Sequence, residues 1–280
     1  MQTNFITTSD KTELFVRDWF LPDEVEKRGS VLIVHGLGEH SGRYEEVAQV
    51  LNSIGLEVRS YDHRGHGKSE GKLGAIPYRD AFLDDAKIVF DDLAKDQAES
   101  PFLLGHSLGG GVAANLVARK FVEPRGLIMS SPALMAKLSA FQNFQVKFGS
   151  LLTPDLAVSN NLKIDFLSHD RQIVDDYKTD SLVHDRITPR LAKFVLDAGQ
   201  ESLAAAKNWS VPTLLLVAGS DHLTNPDGAK QFHANLPQEL ATMYFYENLY
   251  HEIFNETRNE RDKVFNDLKN WLLKSLKPQI

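Results

Sequence analysis

The 280-residue chain contains no cysteine. That excludes disulfides and thiolate metal sites, and it leaves the redox compartment open. No apolar run approaches the ~20 residues a helix needs to cross a bilayer. The opening stretch, MQTNFITTSDKTELFVRDWF, lacks a basic segment followed by an apolar one. It therefore predicts no secretory leader and a cytoplasmic location. Positive charge is scarce as well: Lys and Arg total 31 against 38 Asp and Glu, a net charge of −7 with no long basic stretch. Nucleic acid is accordingly not an expected partner. Internal repeats and low-complexity linkers are absent too. What remains is a globular composition, 42% hydrophobic and 25% charged, long enough to bury a sizeable core.

The hydrophobic pattern alternates between two periods. Residues 4–20 read as two strands joined by a turn at Ser9–Thr12, and VLIVHG, residues 31–36, is a short β-branched run of the kind buried on both sheet faces. SGRYEEVAQVLNSIG then has helical spacing, with Ser41 as the expected cap and Gly55 as the stop. LEVRSYD, the helix YRDAFLDDAKIVFDDLAKD, PFLLGHS, GVAANLVARKF, GLIMSSP, VPTLLLVAGSD and ATMYFYEN continue the alternation, and RDKVFNDLKNWLLKSL closes it as an amphipathic helix. Strands alternating with helices of this length predict an α/β fold with a mostly parallel sheet flanked by helices. Ligands in such sheets bind outside the C-terminal strand ends. Residues 133–208 break the rhythm, showing several helices and no core strand. That is too long for a plain loop. The expected organisation is a core of residues 1–132 and 209–280 with a helical cap, 133–208, inserted over the active edge.

GHSLGG, residues 105–110, lies between the strand PFLL and the helix GVAANLVA. It fits G-x-S-x-G, in which a strained strand-to-helix turn exposes the serine and small neighbours avoid a clash. The helix that starts after Ser107 turns free N–H groups and its positive dipole end toward a developing anion. A serine hydroxyl needs a base to take its proton. With this turn the chain order is nucleophile, acid, histidine. Asp221, at the mouth of VPTLLLVAGSD, is the expected acid, and His251, after the next strand, the expected base. Asp227 belongs instead to a helix start capped by Asn225 with Pro226 first. His222 reads as a turn or wall residue, and His106 as a packing residue directed away from the base. Asp155, Asp165, Asp175, Asp176, Asp180 and Asp185 read as surface or capping charges.

His35-Gly36-Leu37-Gly38 follows the first central strand. Such a loop supplies one backbone N–H to an oxyanion, and the residue after the nucleophile supplies the other, which assigns Leu37 and Leu108. The loop YDHRGHGKS, with His63 and His66, lacks the further ligands of a metal site and reads as a hydrogen-bonded turn. Neither metal nor cofactor is expected. In the insertion, Leu134, Leu138, Phe141, Phe144, Phe148, Leu151 and Leu152 fall near helical spacing. Such a stripe packs as core, lines an acyl tunnel or touches a membrane surface transiently. Phe141, Phe144, Phe148 and Leu151 are its candidate substrate-lining residues.

HGLGEHSGRYEEVA, YDHRGHGKSEG, FLLGHSLGGGVA, LLLVAGSDHLTNPDGAK and YHEIFNE, in that order through almost the whole chain, resemble the α/β-hydrolases of the monoacylglycerol lipase and lysophospholipase group, which is also grouped with serine aminopeptidase-like hydrolases. The cap stretch DDYKTDSLVHDRITPRLAKFVLDAG is similar to the family's cap, less closely. The resemblance implies Ser107 as nucleophile, Asp221 as acid, His251 as base and Leu37 and Leu108 as oxyanion amides, the assignments already reached from the residues. It implies a single-chain lipid ester as substrate, a monoglyceride first, admitted by a mobile cap. A lysophospholipase, a general carboxylesterase, a peptidase or amidase on the same scaffold, and a binding protein that retains the fold without catalysis are the alternatives. The sequence carries no sign of oligomeric state.

Overall fold

The computed structural model describes residues 1–95, 97–135 and 140–276, with the backbone alone over 140–145. Its main sheet contains β1 (Gln2–Thr7), β2 (Glu13–Trp19), β3 (Gly29–Val34), β4 (Leu56–Tyr61), β5 (Phe102–His106) and β6 (Leu127–Ser130), joined by two strands that return after the insertion. α1 (Glu45–Asn52), α2 (Ala81–Ala94) and α3 (Leu108–Ala118) form the crossovers before the insertion. The insertion holds α4 (Ala140–Leu152), α5 (Arg171–Thr179) and α6 (Pro189–Ala205), with β7 (Val158–Ser159) paired antiparallel to β8 (Arg186–Ile187). β9 (Thr213–Ala218), α7 (Pro226–Asn235), β10 (Ala241–Tyr246) and α8 (Arg258–Ser275) complete the chain.

The strand order is β1-β2-β4-β3-β5-β6-β9-β10. β1 and β2 run antiparallel to their neighbours, and every pairing from β4 to β10 is parallel. Antiparallel β1–β2 needs only a tight turn, whereas each parallel pair needs a helical crossover. Strand alternation divides the apolar side chains between two layers. Leu32, Val34, Leu103, Met129, Leu215 and Val217 face one core with α2, α3, α6 and α7. Val31, Ile33, Leu104, Ile128, Leu214 and Leu216 face the other with α1 and α8. Central strands covered on both faces explain why their sequences are almost wholly apolar.

One local expectation changes and one detail is added. Ser41 does not cap a helix: it opens a buried 3-10 turn, Ser41–Tyr44, capped by His40, whose Nδ1 accepts from the Gly42 N–H at 3.1 Å. The stretch 133–208 holds the small β7–β8 pair beside its helices, a pairing of two residues per strand and too short to leave a periodic signal. Within this stretch α6 is part of the main core: Leu191, Phe194 and Ala198 are buried against α3. Leu151 and Leu152, at the end of α4, are 78% and 69% exposed. Among the described residues no helix is long and apolar enough to cross a membrane.

Candidate active site

The turns after β3, β5, β9 and β10 all leave the same edge of the parallel sheet, and each carries one component of the site. Ser107 joins β5 to α3 at φ +53°, ψ −118°. A non-glycine residue there costs about 1–3 kcal/mol and persists only where its surroundings fix it. They do so here: the Ser107 N–H donates to Ser130 O at 3.0 Å, and Ser107 O accepts from the Gly111 and Ala133 amides at 3.2 and 2.9 Å. The strand and helix touch backbone to backbone. A Cβ on Gly109 would lie 2.0 Å from Val34 O, and one on Gly105 2.3 Å from Gly109 O. Only glycines allow α3 to start so close to the sheet that the serine is left at the apex.

Asp221 follows β9 and is buried. Its Oδ1 accepts from the Leu223 and Thr224 N–H groups at 2.7 and 2.9 Å, and its Oδ2 from Thr224 Oγ1 at 2.7 Å. The remaining contact of Oδ2 is His251 Nδ1 at 2.7 Å. Burial pushes the carboxyl upward, but the His251 charge and these hydrogen bonds outweigh it and hold Asp221 at about 2. His251 is the mirror case. Its burial disfavours the imidazolium, yet the Asp221 carboxylate raises its pKa above the ordinary 6.5. Because Nδ1 is committed to Asp221, Nε2 is the nitrogen left for a reacting hydroxyl.

The insertion holds the His251 loop in place. The His251 N–H donates to Phe166 O at 3.5 Å, and the Glu252 N–H to Leu167 O at 2.8 Å. His184 donates its backbone N–H to Gly38 O at 2.9 Å, and His40 Nε2 meets Asp180 Oδ2 at 2.8 Å. Asp180 is thus a docking contact for the loop after β3, where the sequence suggested a surface or capping charge. Ser107, His251, Leu37 and Leu108 line one cavity of about 750 Å³. Its opposite wall comes from the insertion: Val146, Leu162, Leu167, Tyr177, Ile187, Val195 and Leu196, with Lys147, Lys193, Asp197 and Gln200 adding polarity. Leu37 lies beside Gly36, whose Cβ position is 3.3 Å from Ser107 Cβ. Leu108 opens α3, so its N–H has no carbonyl four residues back in the helix.

Several predicted residues lie elsewhere than expected. The side chains of Phe141 and Phe144 fall outside the described residues. Phe148 and Leu151 are exposed and are not among the described lining residues, where α4 contributes Val146 and Lys147. At ~100° per residue, Phe148 is turned about 200° and Leu151 about 140° from Val146 around the helix. Leu134 precedes α4, is buried and lines the cavity. His106 is not directed away from the base: its ring lies 4.8 Å from that of His251, and its Nδ1 is 3.1 Å from Ser130 Oγ. Burial, followed by the nearby His251 charge, lowers it to about 4. His222 is exposed with its ring 4.0 Å from that of Phe166, a wall contact. Asp227 sits in the first turn of α7, its N–H donating to the Asn225 cap at 3.1 Å. Among the described residues no three His, Cys, Asp or Glu side chains gather as metal ligands.

Sequence reasoning passed over a buried charge chain. Arg43 Nη1 donates to Glu39 Oε2 at 2.9 Å and to Glu252 Oε1 at 2.6 Å, and Nη2 donates to Glu252 Oε2 at 2.7 Å. Tyr177 lies under the guanidinium, its ring centroid 4.7 Å away. The available signal was three charged residues beside motif positions, Glu39 and Arg43 after HGLG and Glu252 after His251. Thr224 was also missed as a partner of Asp221.

A hydroxyl and an imidazole facing an apolar-walled cavity, with a buried carboxylate behind the imidazole, suit nucleophilic acyl transfer. A family model described as serine aminopeptidase, S33, matches residues 25–258. A monoacylglycerol lipase of Mycolicibacterium smegmatis is 33% identical over 265 residues, covering 93% of each chain. An abhydrolase domain-containing protein of Dictyostelium discoideum is 34% identical over 260 residues, 91% of this chain but only 27% of that longer protein. Among solved structures, the Paleococcus ferrophilus monoacylglycerol lipase superposes with a TM-score of 0.84 at 34% identity, covering 94% of this chain and 99% of the other.

Proposed function

The chain belongs to the serine aminopeptidase S33 family, and from that premise we propose that it is a monoacylglycerol lipase, a serine hydrolase that splits monoglycerides into fatty acid and glycerol. The observation that carries the reading is that His251, bound through Nδ1 to the buried Asp221, lines the same apolar-walled cavity as the strained Ser107. His251 Nε2 takes the Ser107 proton as Oγ attacks the ester carbonyl carbon. Asp221 holds the imidazole in its Nδ1–H tautomer and stabilises the imidazolium. The Leu37 and Leu108 amides receive the oxyanion. The ester C–O bond then breaks, and His251 returns the proton to the departing glycerol oxygen. Water repeats the sequence on the acyl-enzyme. No step calls for a metal or cofactor.

In this reading residues 133–208 are a cap on a hydrolase core of 1–132 and 209–280. A cavity of about 750 Å³ between them has room for one long acyl chain. The exposed Leu151, Leu152, Leu156 and Val158 at the rim of the cap touch a membrane surface transiently while the protein stays cytoplasmic. Fractionation of cells into soluble and membrane-bound pools checks that placement.

The test is a substrate panel with a dead variant. Wild type is expected to hydrolyse monoacylglycerols and to be labelled at Ser107 by a fluorophosphonate. Ser107→Ala should fold normally, resist the label and lose about a million-fold in kcat. Hydrolysis confined to amino-acyl amides makes the chain a peptidase, a clear preference for lysophospholipids makes it a phospholipase, and retained ester hydrolysis in Ser107→Ala removes the serine mechanism.

A further inference from the structure

The loop after β3 is held by side chains that the acyl-transfer mechanism does not use. Gly36 lies between two of them. Its N–H donates to Glu39 Oε1 at 2.7 Å, and its carbonyl oxygen meets His35 Nδ1, also at 2.7 Å. The second contact matters most, because Gly36 C=O and Leu37 N–H belong to one peptide unit. That unit is planar and its two polar groups point in opposite directions, so fixing the carbonyl fixes the N–H. The direction of the His35 bond is also determined. The His63 backbone N–H donates to His35 Nε2 at 2.9 Å, so Nε2 carries no proton and Nδ1 is the donor to Gly36 O. Complete burial lowers the pKa of His35 and keeps this neutral tautomer.

Glu39 holds the other side of Gly36 and is held in turn. Its Oε1 also accepts from the Tyr44 hydroxyl at 2.7 Å, and Oε2 from Arg43 at 2.9 Å. Arg43 continues to Glu252, the residue after His251. Burial opposes the Glu39 charge, but Arg43, the neighbouring histidines and the Tyr44 hydrogen bond together outweigh it and hold the carboxyl at about 2. Four buried polar side chains, His35, Glu39, Tyr44 and Glu252, and the largely buried Arg43 are therefore arranged around one peptide and one loop contact. Such groups are costly to bury unless every partner is in place, which makes the arrangement a rigid one.

We infer that His35 and Glu39 are positioning residues that lock the Gly36–Leu37 peptide, so that the Leu37 N–H is aimed at the oxyanion before substrate arrives, while Arg43 ties that peptide to the His251 loop. The inference rests on the serine hydrolase reading above. Preorganised donors cost no reorientation at the moment of reaction, and removing one lowers turnover about 100- to 1,000-fold. A donor left in place but free to rotate loses part of that.

The experiment compares wild type with His35→Leu, His35→Asn and Glu39→Gln in the full chain. Turnover of a soluble p-nitrophenyl ester is measured per Ser107 titrated with fluorophosphonate. The inhibition constant of a trifluoromethyl ketone with the same acyl chain is measured beside it, since its adduct on Ser107 carries the oxyanion. His35→Leu is expected to lower kcat about 10- to 100-fold with KM nearly unchanged, and to weaken the ketone by the same factor. Asn places an N–H donor where Nδ1 was, so His35→Asn should regain much of the loss. In Glu39→Gln the new amide N–H group confronts the Arg43 donor, and a loss of about tenfold in both readouts is expected. Should His35→Leu fail to fold, the other two variants carry the comparison alone. Variants that only melt earlier, with turnover per titrated serine and ketone affinity intact, overturn the positioning role. A wild type that neither labels at Ser107 nor binds the ketone overturns the hydrolase reading and this inference together.

Discussion

The sheet edge and the outer rim of the insertion are built to opposite specifications. At the edge, Ser107, Asp221, His251 and Gly36 each have several hydrogen bonds fixing them, and the glycines beneath leave no space for one added carbon. At the rim, α4 ends in leucines 78% and 69% exposed, followed by the two-residue β7. α6 shows that the insertion as a whole is not loose, since its Leu191 and Phe194 belong to the main core. The division therefore runs through the insertion: one helix anchors it and another presents apolar surface outward. Chemistry requires atoms fixed to a fraction of an ångström, whereas admission of a lipid chain requires a surface that can accept it.

The largest effect that sharpens this contrast comes from Asp221. Asp221→Asn keeps the shape but replaces the acceptor facing His251 Nδ1, which favours the wrong tautomer. A fall in kcat of about 10,000-fold is expected, with the fold intact by circular dichroism. A loss below about tenfold removes Asp221 from the proposed triad. Next is Gly109→Ala. Its Cβ would sit 2.0 Å from Val34 O and 2.5 Å from His35 O, both backbone atoms that cannot step aside. A loss of about 3 kcal/mol in unfolding free energy, or failure to fold, is expected from denaturant titration. An unchanged midpoint contradicts the close contact of α3 and β3.

How much of this could be read from residues alone follows the same division. β3, β5 and β9 announce themselves because strands buried on both faces are continuous apolar runs. Ser107 is legible because its turn dictates small residues at fixed offsets, and Asp221 and His251 because each follows the next predicted strand. Arg43 and Glu252 are 209 residues apart, and no local pattern reveals that they meet. The helical period of α4 shows that an apolar stripe exists, but what the stripe faces depends on how the helix is set against its neighbours. His106 does pack as a buried residue, but its direction was not legible, because the His251 loop that folds beside it lies 145 residues away in the chain. Its neighbour Ser107 already departs from strand geometry.

pH separates activity from stability at the edge. The proposed mechanism requires the base form of His251, and Asp221 raises its pKa above 6.5, so kcat/KM should fall as pH drops through a midpoint above that value. The signs for stability differ. A histidine raised on folding contributes stability that is present below its unfolded value and lost as pH rises through the folded one. Asp221, lowered from 3.8 to about 2, contributes stability present above 3.8 and lost as pH falls toward 2. Below pH 6.5 the buried His35 and His106, whose pKa values are lowered on folding, cost stability because the unfolded chain takes up their protons first, so turnover should begin to decline above pH 6.5, before melting is affected, as parallel melting and rate profiles would show. Coincident loss of fold and activity contradicts the assignment.

The smallest effect is expected at the rim, and only with one kind of substrate. Leu151→Glu with Leu152→Glu alters two side chains already mostly in solvent, so unfolding free energy should stay within about 0.5 kcal/mol of wild type. Neither side chain lies on the described cavity wall, so turnover of a dissolved short-chain ester should stay within about twofold. A monoglyceride embedded in phospholipid vesicles poses a different problem, because the protein must first meet the surface. Removing two apolar contacts and adding two carboxylates there forfeits a few tens of Å² of interfacial burial each, enough for about a tenfold loss of vesicle turnover. The ratio of the two rates is the informative quantity. Equal loss on both substrates places these leucines in the machinery of the edge after all, and no loss on vesicles leaves the rim without a role at the membrane.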